Sequence, residues 1–166
     1  MARRPPFDPF AILAALDRRR VAYVVIGSFA RVVRGAEELP DGLDIVPSLR
    51  PENLQRLEDA LVDLEAVGVD GARINLDENH DALIRTTSPA GELKIVPEPE
   101  GTRGYEDLRR AATREPLGRG LRPSVASTGD LARMLAALGR DQDRPKLQAL
   151  RQVAELERSL GPELAL

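Results

Sequence analysis

A single carboxylate, Asp44, interrupts an otherwise apolar run of Leu43, Ile45 and Val46. Strand side chains alternate between faces, so Gly42, Asp44 and Val46 share one face while Leu43 and Ile45 take the other. One face therefore carries an acid where a packed core would favour a hydrocarbon. Upstream, Tyr23-Val24-Val25-Ile26 reads as a buried strand, and Gly27-Ser28 lets the backbone turn sharply into a helix that starts near Phe29. The amides freed at such a turn, together with the helix dipole, make an anion pocket suited to phosphate. The spacing thus places an acid on the strand that follows a phosphate-binding turn.

A Gly-Ser turn at a helix N-terminus followed by an acid-bearing strand resembles the nucleotidyltransferase superfamily. Within it the chain is similar to small bacterial proteins of the minimal-nucleotidyltransferase and abortive-infection (AbiEii-like) toxin type. The likeness continues through Val46-Pro47, the helix opening at Pro51-Glu52-Asn53-Leu54, and Pro89-Ala90-Gly91-Glu92-Leu93-Lys94-Ile95-Val96. It extends over the segment Gly101 to Leu108, Val125-Ala126-Ser127 with Asp130-Leu131, and Gly139-Arg140 with Asp143. The order and spacing of these pieces carry the resemblance, which spans Tyr23 to about Leu150. It implies an α/β (α+β) fold, a mixed sheet flanked by helices, with nucleotide-binding roles for Gly27, Ser28, Lys94, Arg140 and Asp143.

The departures are as informative. In the family the strand after the Gly-Ser turn carries Asp-x-Asp, and a later strand adds a third acid to hold catalytic magnesium. Here Gly42 stands at the first position and Lys94 at the third, which leaves Asp44 as the catalytic and metal-binding acid. Two ions about 3.5 to 4 Å apart clamp the attacking and leaving oxygens in enzymes of this kind. Magnesium is usually recruited by one or two carboxylates plus phosphate oxygens. An ammonium near the same pocket would oppose it by about 4 kcal/mol per unit charge at 4 Å and an effective dielectric near 20. The Lys94 ammonium is therefore expected where a metal would sit, paired with Asp44. Breaking such a pair, were it fully buried, would cost about 3 to 5 kcal/mol. Rescue of a magnesium site would need Asp41, turned inward by a bulge, or Glu92, which shares a face with Lys94.

Three functional classes follow. The first is a metal-impaired pseudoenzyme that binds a nucleoside triphosphate or an antitoxin-like protein partner. The second is a working Mg2+-dependent enzyme that transfers a nucleotide monophosphate to a protein or RNA hydroxyl. The third is a scaffold without a small-molecule site. Arg140 and Asp143, three apart, read equally as a helix-terminus ion pair. Lys146 stands where the family leads one to expect an acid, and Leu135 where a lysine is common. Arg85 and Thr87 share a strand face that could meet a phosphate. His80, among Asp77, Glu78 and Asp81, reads as part of a solvated loop rather than a metal cluster.

Composition narrows the field. The 166 residues can bury a real core, and aromatics are only 3% of them, which leaves no platform for stacking single-stranded bases. A net charge of -3 argues against a nucleic-acid footprint, and the lack of cysteine removes disulfides and thiolate metal sites. No apolar run reaches the roughly 20 residues of a membrane span, so a cytoplasmic location is the default expectation. The resemblance implies a nucleotidyltransferase-like domain over 1–126, with a C-terminal helical extension over 127–166. Helices are expected from Asp8-Pro9 to Arg20 with Phe10, Leu13, Ala14 and Leu16 inward, from Pro51 to Val67, from Tyr105 to Ala112, from Ser127, and from about Arg144 to Leu160. Strands are expected at Ala82 to Thr87 and Leu93 to Val96 as an antiparallel pair, and near Leu121 to Val125 after the Gly118-Arg119-Gly120 turn. Leu150, Val153, Leu156 and Leu160 form an apolar stripe on the last helix that covers the domain or makes a dimer seam.

Overall fold

The computed structural model describes residues 6–76 and 82–164. The His80 loop, with Asp77, Glu78 and Asp81, lies outside them. Helix α1 (Pro9–Arg18) leads into strand β1 (Tyr23–Ile26), helix α2 (Gly27–Val33) and strand β2 (Gly42–Pro47). Helix α3 (Pro51–Asp63) precedes the hairpin β3 (Ile84–Ser88) and β4 (Gly91–Ile95). A short helix α4 (Tyr105–Leu108), strands β5 (Thr113–Arg114) and β6 (Ser124–Val125), and helices α5 (Thr128–Leu138) and α6 (Arg144–Leu164) complete the order. The sheet is mixed, six strands in the order β3-β4-β2-β1-β6-β5.

Register decides what each face of this sheet carries. Val25 pairs with Ile45, Ile45 with Ile95, and Ile95 with Ile84, so an unbroken hydrocarbon row crosses four strands. Val125 extends it on the other side of β1. The adjacent row, one residue along, pairs Ile26 with Asp44, Asp44 with Lys94, and Lys94 with Arg85. Because neighbouring residues of a strand point to opposite sides, the first row enters the core and the second faces a cleft. Leu43, Ile45, Leu93 and Ile95 are all buried, as the alternation of the sequence predicts.

Helix boundaries follow local chemistry. Asp8 caps α1 by accepting the Ala11 amide at 3.1 Å, and Ser127 caps α5 by accepting the Asp130 amide at 3.0 Å. On α1 the fully buried residues are Ile12, Leu13, Ala15 and Leu16, while Phe10 and Ala14 sit at the edge of the core. The Arg119 guanidinium lies 4.6 Å from the Phe10 ring centroid, so the exposed side of that ring is covered by a cation rather than by the sheet. At the end of α1, where Arg18, Arg19 and Arg20 follow one another, Arg19 forms a two-pronged ion pair with Asp63 of α3, at 2.7 and 2.8 Å.

Two helices end earlier than their periodicity predicts, for the same reason. Val67 leaves α3 to exchange both backbone hydrogen bonds with Thr87, at 2.9 Å each. Thr113 and Arg114, past the end of α4, pair with Val125 and Ser124 and so form an edge strand with no apolar alternation to announce it. In both cases tertiary pairing outbids continued helix. Along α6, Leu150 is buried against α5, whereas Leu156 and Leu160 are 59% and 47% exposed. No helix among the described residues is long and apolar enough to cross a membrane.

The buried Asn53 ties three elements together. Its amide donates to Ala22 O at 2.9 Å and Ser48 O at 2.8 Å, and its oxygen accepts the Ala22 amide at 2.7 Å. These bonds fix the start of β1 and the end of β2 against the first turn of α3. Replacing Asn53 with Ala removes one bond from each of three backbone groups, of which Ala22 O still accepts the Ser48 amide at 3.0 Å, and should lower stability by about 1 to 3 kcal/mol, read from the urea midpoint at unchanged m-value.

Candidate active site

Gly27 is the pivot of the site. Its φ of +75° is the left-handed turn that carries β1 directly into α2, and a Cβ built there would collide with Asp44 Oδ2. The Asp44 carboxylate therefore lies flat against the glycine backbone, which only a residue without a side chain permits. Helix α2 begins at Gly27, two residues before the Phe29 start read from sequence, and has no side-chain cap. Arg31, four residues on, stands on the same face of α2.

These groups open into a cleft of about 700 Å³. Gly27, Ser28, Asp41, Asp44, Glu92, Lys94 and Arg140 all line it, so residues spread over more than 110 positions of sequence meet in one cavity. Its far wall is apolar, formed by Leu131, Met134, Leu135 and Leu138 of α5. Leu135 stands there in place of the lysine that the resemblance leads one to expect.

Asp143 is the exception. Its side chain is only 4% exposed, and it accepts from Arg140 Nε at 2.6 Å. It does not line the main cleft but a smaller hollow between α5 and α6. It holds the Arg140 guanidinium, which does reach the cleft.

The electrostatics are set by pairing. All four cations that line the cleft have a carboxylate partner: Lys94 with Asp44 at 4.0 Å, Arg85 with Glu92 at 3.4 Å, Arg140 with Asp143, and Arg31 with Glu38 at 2.7 Å. The Lys94 and Asp44 side chains are 24% and 28% exposed, so theirs is not the fully buried pair to which the larger energy applies. Thr87, beside Arg85 on the same strand face, stays exposed and outside the cleft.

Burial pushes the Asp44 carboxyl above the ordinary carboxylate range. The Lys94 ammonium pulls it back, Glu92 pushes it further up, and Arg31 and Arg85 help Lys94 without cancelling the cost of desolvation. Glu38 shows the opposite balance. Its hydrogen bond to Arg31 holds its carboxyl low, with a further contribution from Lys146, whose ammonium lies 3.5 Å away.

Arg31 and Glu38 were not among the residues singled out from sequence. The spacing of four between Gly27 and Arg31 was an available signal, whereas nothing in Glu37-Glu38-Leu39 distinguishes Glu38. Among the described residues no group of three or more His, Asp or Glu side chains is disposed to hold a metal ion. The acids that line the cleft are Asp41, Asp44, Glu92, Glu98 and Glu100, and Gly42 faces the Glu92 backbone.

Two solved structures of the antibiotic-resistance factor ANT(2″)-Ia, an aminoglycoside nucleotidyltransferase, share this architecture. The solution structure superposes with a TM-score of 0.59 at 18% identity, over 93% of this chain and 83% of that one. The crystal structure, a complex with adenylyl-2″-tobramycin, gives 0.58 at 18% identity, over 93% and 88%. The fold is nucleotidyltransferase-like. No protein-family model matches the chain, and no curated protein sequence does. At this identity the nucleotidyltransferase-like likeness concerns the fold, and the site has to be read from its own residues.

The charges around Asp44 make its titration a direct readout of the cleft. Lys94→Gln should move the Asp44 carboxyl pKa further up and Glu92→Gln should move it down, followed by carboxyl 13C shifts against pH. Because the folded state holds the Asp44 proton more tightly than the unfolded chain, stability should fall as pH rises from the ordinary carboxylate pKa through the Asp44 value, and Asp44 should add no further slope above it. An Asp44 titration indifferent to Lys94→Gln would show that the two groups do not interact.

Proposed function

We propose that this chain is a nucleotidyltransferase-fold module in which metal-dependent catalysis is impaired, and which binds a nucleotide or a small antitoxin-like protein partner in its cleft. The observation that carries this reading is the charged row of the sheet. Where metal-assisted nucleotidyl transfer needs convergent acids, this cleft presents Gly42, Asp44 and Lys94, with the ammonium 4.0 Å from the remaining carboxylate. A two-ion centre does not fit this donor set. One carboxylate that is itself costly to ionise, beside a fixed cation, is a poor recruiter of a strongly hydrated dication.

Nucleotide binding finds its support in the Gly27-Ser28 turn at the head of α2 and in Lys94, Arg31 and Arg140, which can exchange carboxylate partners for phosphate oxygens. The apolar wall of Leu131, Met134 and Leu135 offers a surface for a base or for an apolar side chain of a partner. Interaction with a protein, in a toxin-antitoxin setting, is the form of the same reading in which the cleft no longer serves chemistry.

A second reading, active Mg2+-dependent transfer of a nucleotide monophosphate to a protein or RNA hydroxyl, is favoured by one feature. Asp41 and Glu92 line the same cleft as Asp44, so acids beyond the family pattern stand within it.

Calorimetry with ATP separates the two. Binding of equal affinity in magnesium and in EDTA is the expected result, and magnesium-dependent binding or thermal stabilisation would identify the second reading. Gly42→Asp combined with Lys94→Asp should introduce magnesium affinity where the parent chain has none. The new Cβ at residue 42 would stand 3.2 Å from Glu92 O, so β4 has to yield by a few tenths of an ångström.

A further inference from the structure

A second cavity, of about 600 Å³, lies across the 97–104 loop from the cleft. The loop separates them: Pro97 to Glu100 face the cleft, and Gly101 to Arg103 face the second cavity. Helix α5 is shared in the same way, with Leu131, Met134 and Leu135 on the cleft side and Arg133 on the other.

The wall between the two is pinned. Gly101, at φ +80°, passes so close to α5 that a Cβ would stand 2.8 Å from that of Ala137. Gly104, at φ +78°, leaves 2.7 Å between a built Cβ and Pro97 O. Thr102 Oγ1 donates to Pro99 O at 2.9 Å and accepts the Gly104 amide at 3.1 Å. The side chains of this cavity thus project from a fixed frame.

Its charges differ in kind from those of the cleft. Glu106 is taken by Arg109 at 2.7 Å, and Asp107 by Arg133 at 3.1 Å and by the Arg103 amide at 2.9 Å. Arg133 is held further by Asp130 at 3.1 Å. Both acids lining the cavity are therefore satisfied. The Arg103 and Arg110 guanidiniums, which also line it, have no carboxylate within 4 Å among the described residues. In the cleft each cation has an ion pair within 4 Å, whereas here two planar forks face an open cavity without one, Arg110 acting on Asp107 only at longer range, in a chain whose net charge is -3.

We propose that this cavity is a binding site for a phosphate group, held by Arg103 and Arg110 with Arg133 as a fixed third cation. Guanidinium forks match phosphate oxygens in pairs, and a phosphate carries enough charge for two such forks at once. The site stands independently of the cleft and of whether the cleft binds nucleotide.

The test is an NMR titration of the whole chain with inorganic pyrophosphate at constant ionic strength. Amide signals from Gly101 to Arg110 and of Arg133 should shift and saturate, while those from Gly27 to Arg31 report separately on the cleft. Arg103→Gln with Arg110→Gln should weaken the effect by about tenfold for each arginine removed. Both side chains are exposed, and an unchanged melting temperature confirms that the variant is folded. A parallel titration with a short single-stranded RNA distinguishes the source: the same signals moving with RNA at lower concentration assign a backbone phosphate, and signals moving with pyrophosphate alone assign a small ligand. Shifts that fail to saturate, that are confined to the cleft, or that persist undiminished in the double variant would overturn the proposal.

Discussion

The structure depends on the register of four strands. Sliding one of them by a single residue would bring Asp44 or Lys94 into a row of Val25, Ile45, Ile95 and Ile84, and would lift those hydrocarbons into the cleft. Burying an ion among aliphatic side chains costs far more than the sheet could recover elsewhere, so the hydrophobic row locks the charged row in place. The cleft is charged because the core beneath it is not. Asn53 reinforces the same register from outside the sheet by joining Ala22 and Ser48, which flank β1 and β2.

Within that frame the cleft is electrostatically closed upon itself. Its four cations are paired with carboxylates from four segments, Asp44 on β2, Glu92 on β4, Glu38 in the loop before β2 and Asp143 just before α6, and the contact of Lys146 with Glu38 ties α6 to the rim. A ligand entering this site exchanges ion pairs rather than meeting bare charge. On the function proposed above, that favours an anion able to satisfy several cations at once over a dication, which would have to displace Lys94 from Asp44. The cavity beyond the 97–104 loop has the reverse character, with its acids satisfied and two guanidiniums left over. Two adjoining cavities on one helix thus present different chemistry, because α5 turns an apolar stripe to one and Arg133 to the other.

The fold alone does not carry an activity. An architecture shared at 18% identity with ANT(2″)-Ia shows that this arrangement of strands and helices is the same stable solution, reached with mostly different side chains. Function belongs to the site, and here the Asp44 row sets a Lys94 ammonium 4.0 Å from the carboxylate. Sheet geometry accommodates this pair because a strand position that faces an open cleft imposes little on its occupant.

Much of this was legible in the sequence, and the limits have a physical origin. The alternation around Asp44, the Gly27-Ser28 turn, the Asp8 and Ser127 caps and the β3–β4 hairpin are local signals, each confined to a few residues, and they define the strands, the helices and the central acid. Lys94 is expected beside Asp44 from the family resemblance, since alternation sets the face of each strand but not the register that pairs them. Several features could not be read in this way. Arg31 owes its role to Glu38, and Glu38 to a loop that brings it to Lys146. The edge strand at Thr113–Arg114 exists only through its partner, and α3 stops early because Val67 is claimed by Thr87. Asp143 matches a binding residue by position, yet it is buried behind Arg140. Local sequence determined which segments are strand or helix and which faces they turn inward; long-range pairing decided which charges meet, because an ion pair between distant segments leaves no periodic trace in either one.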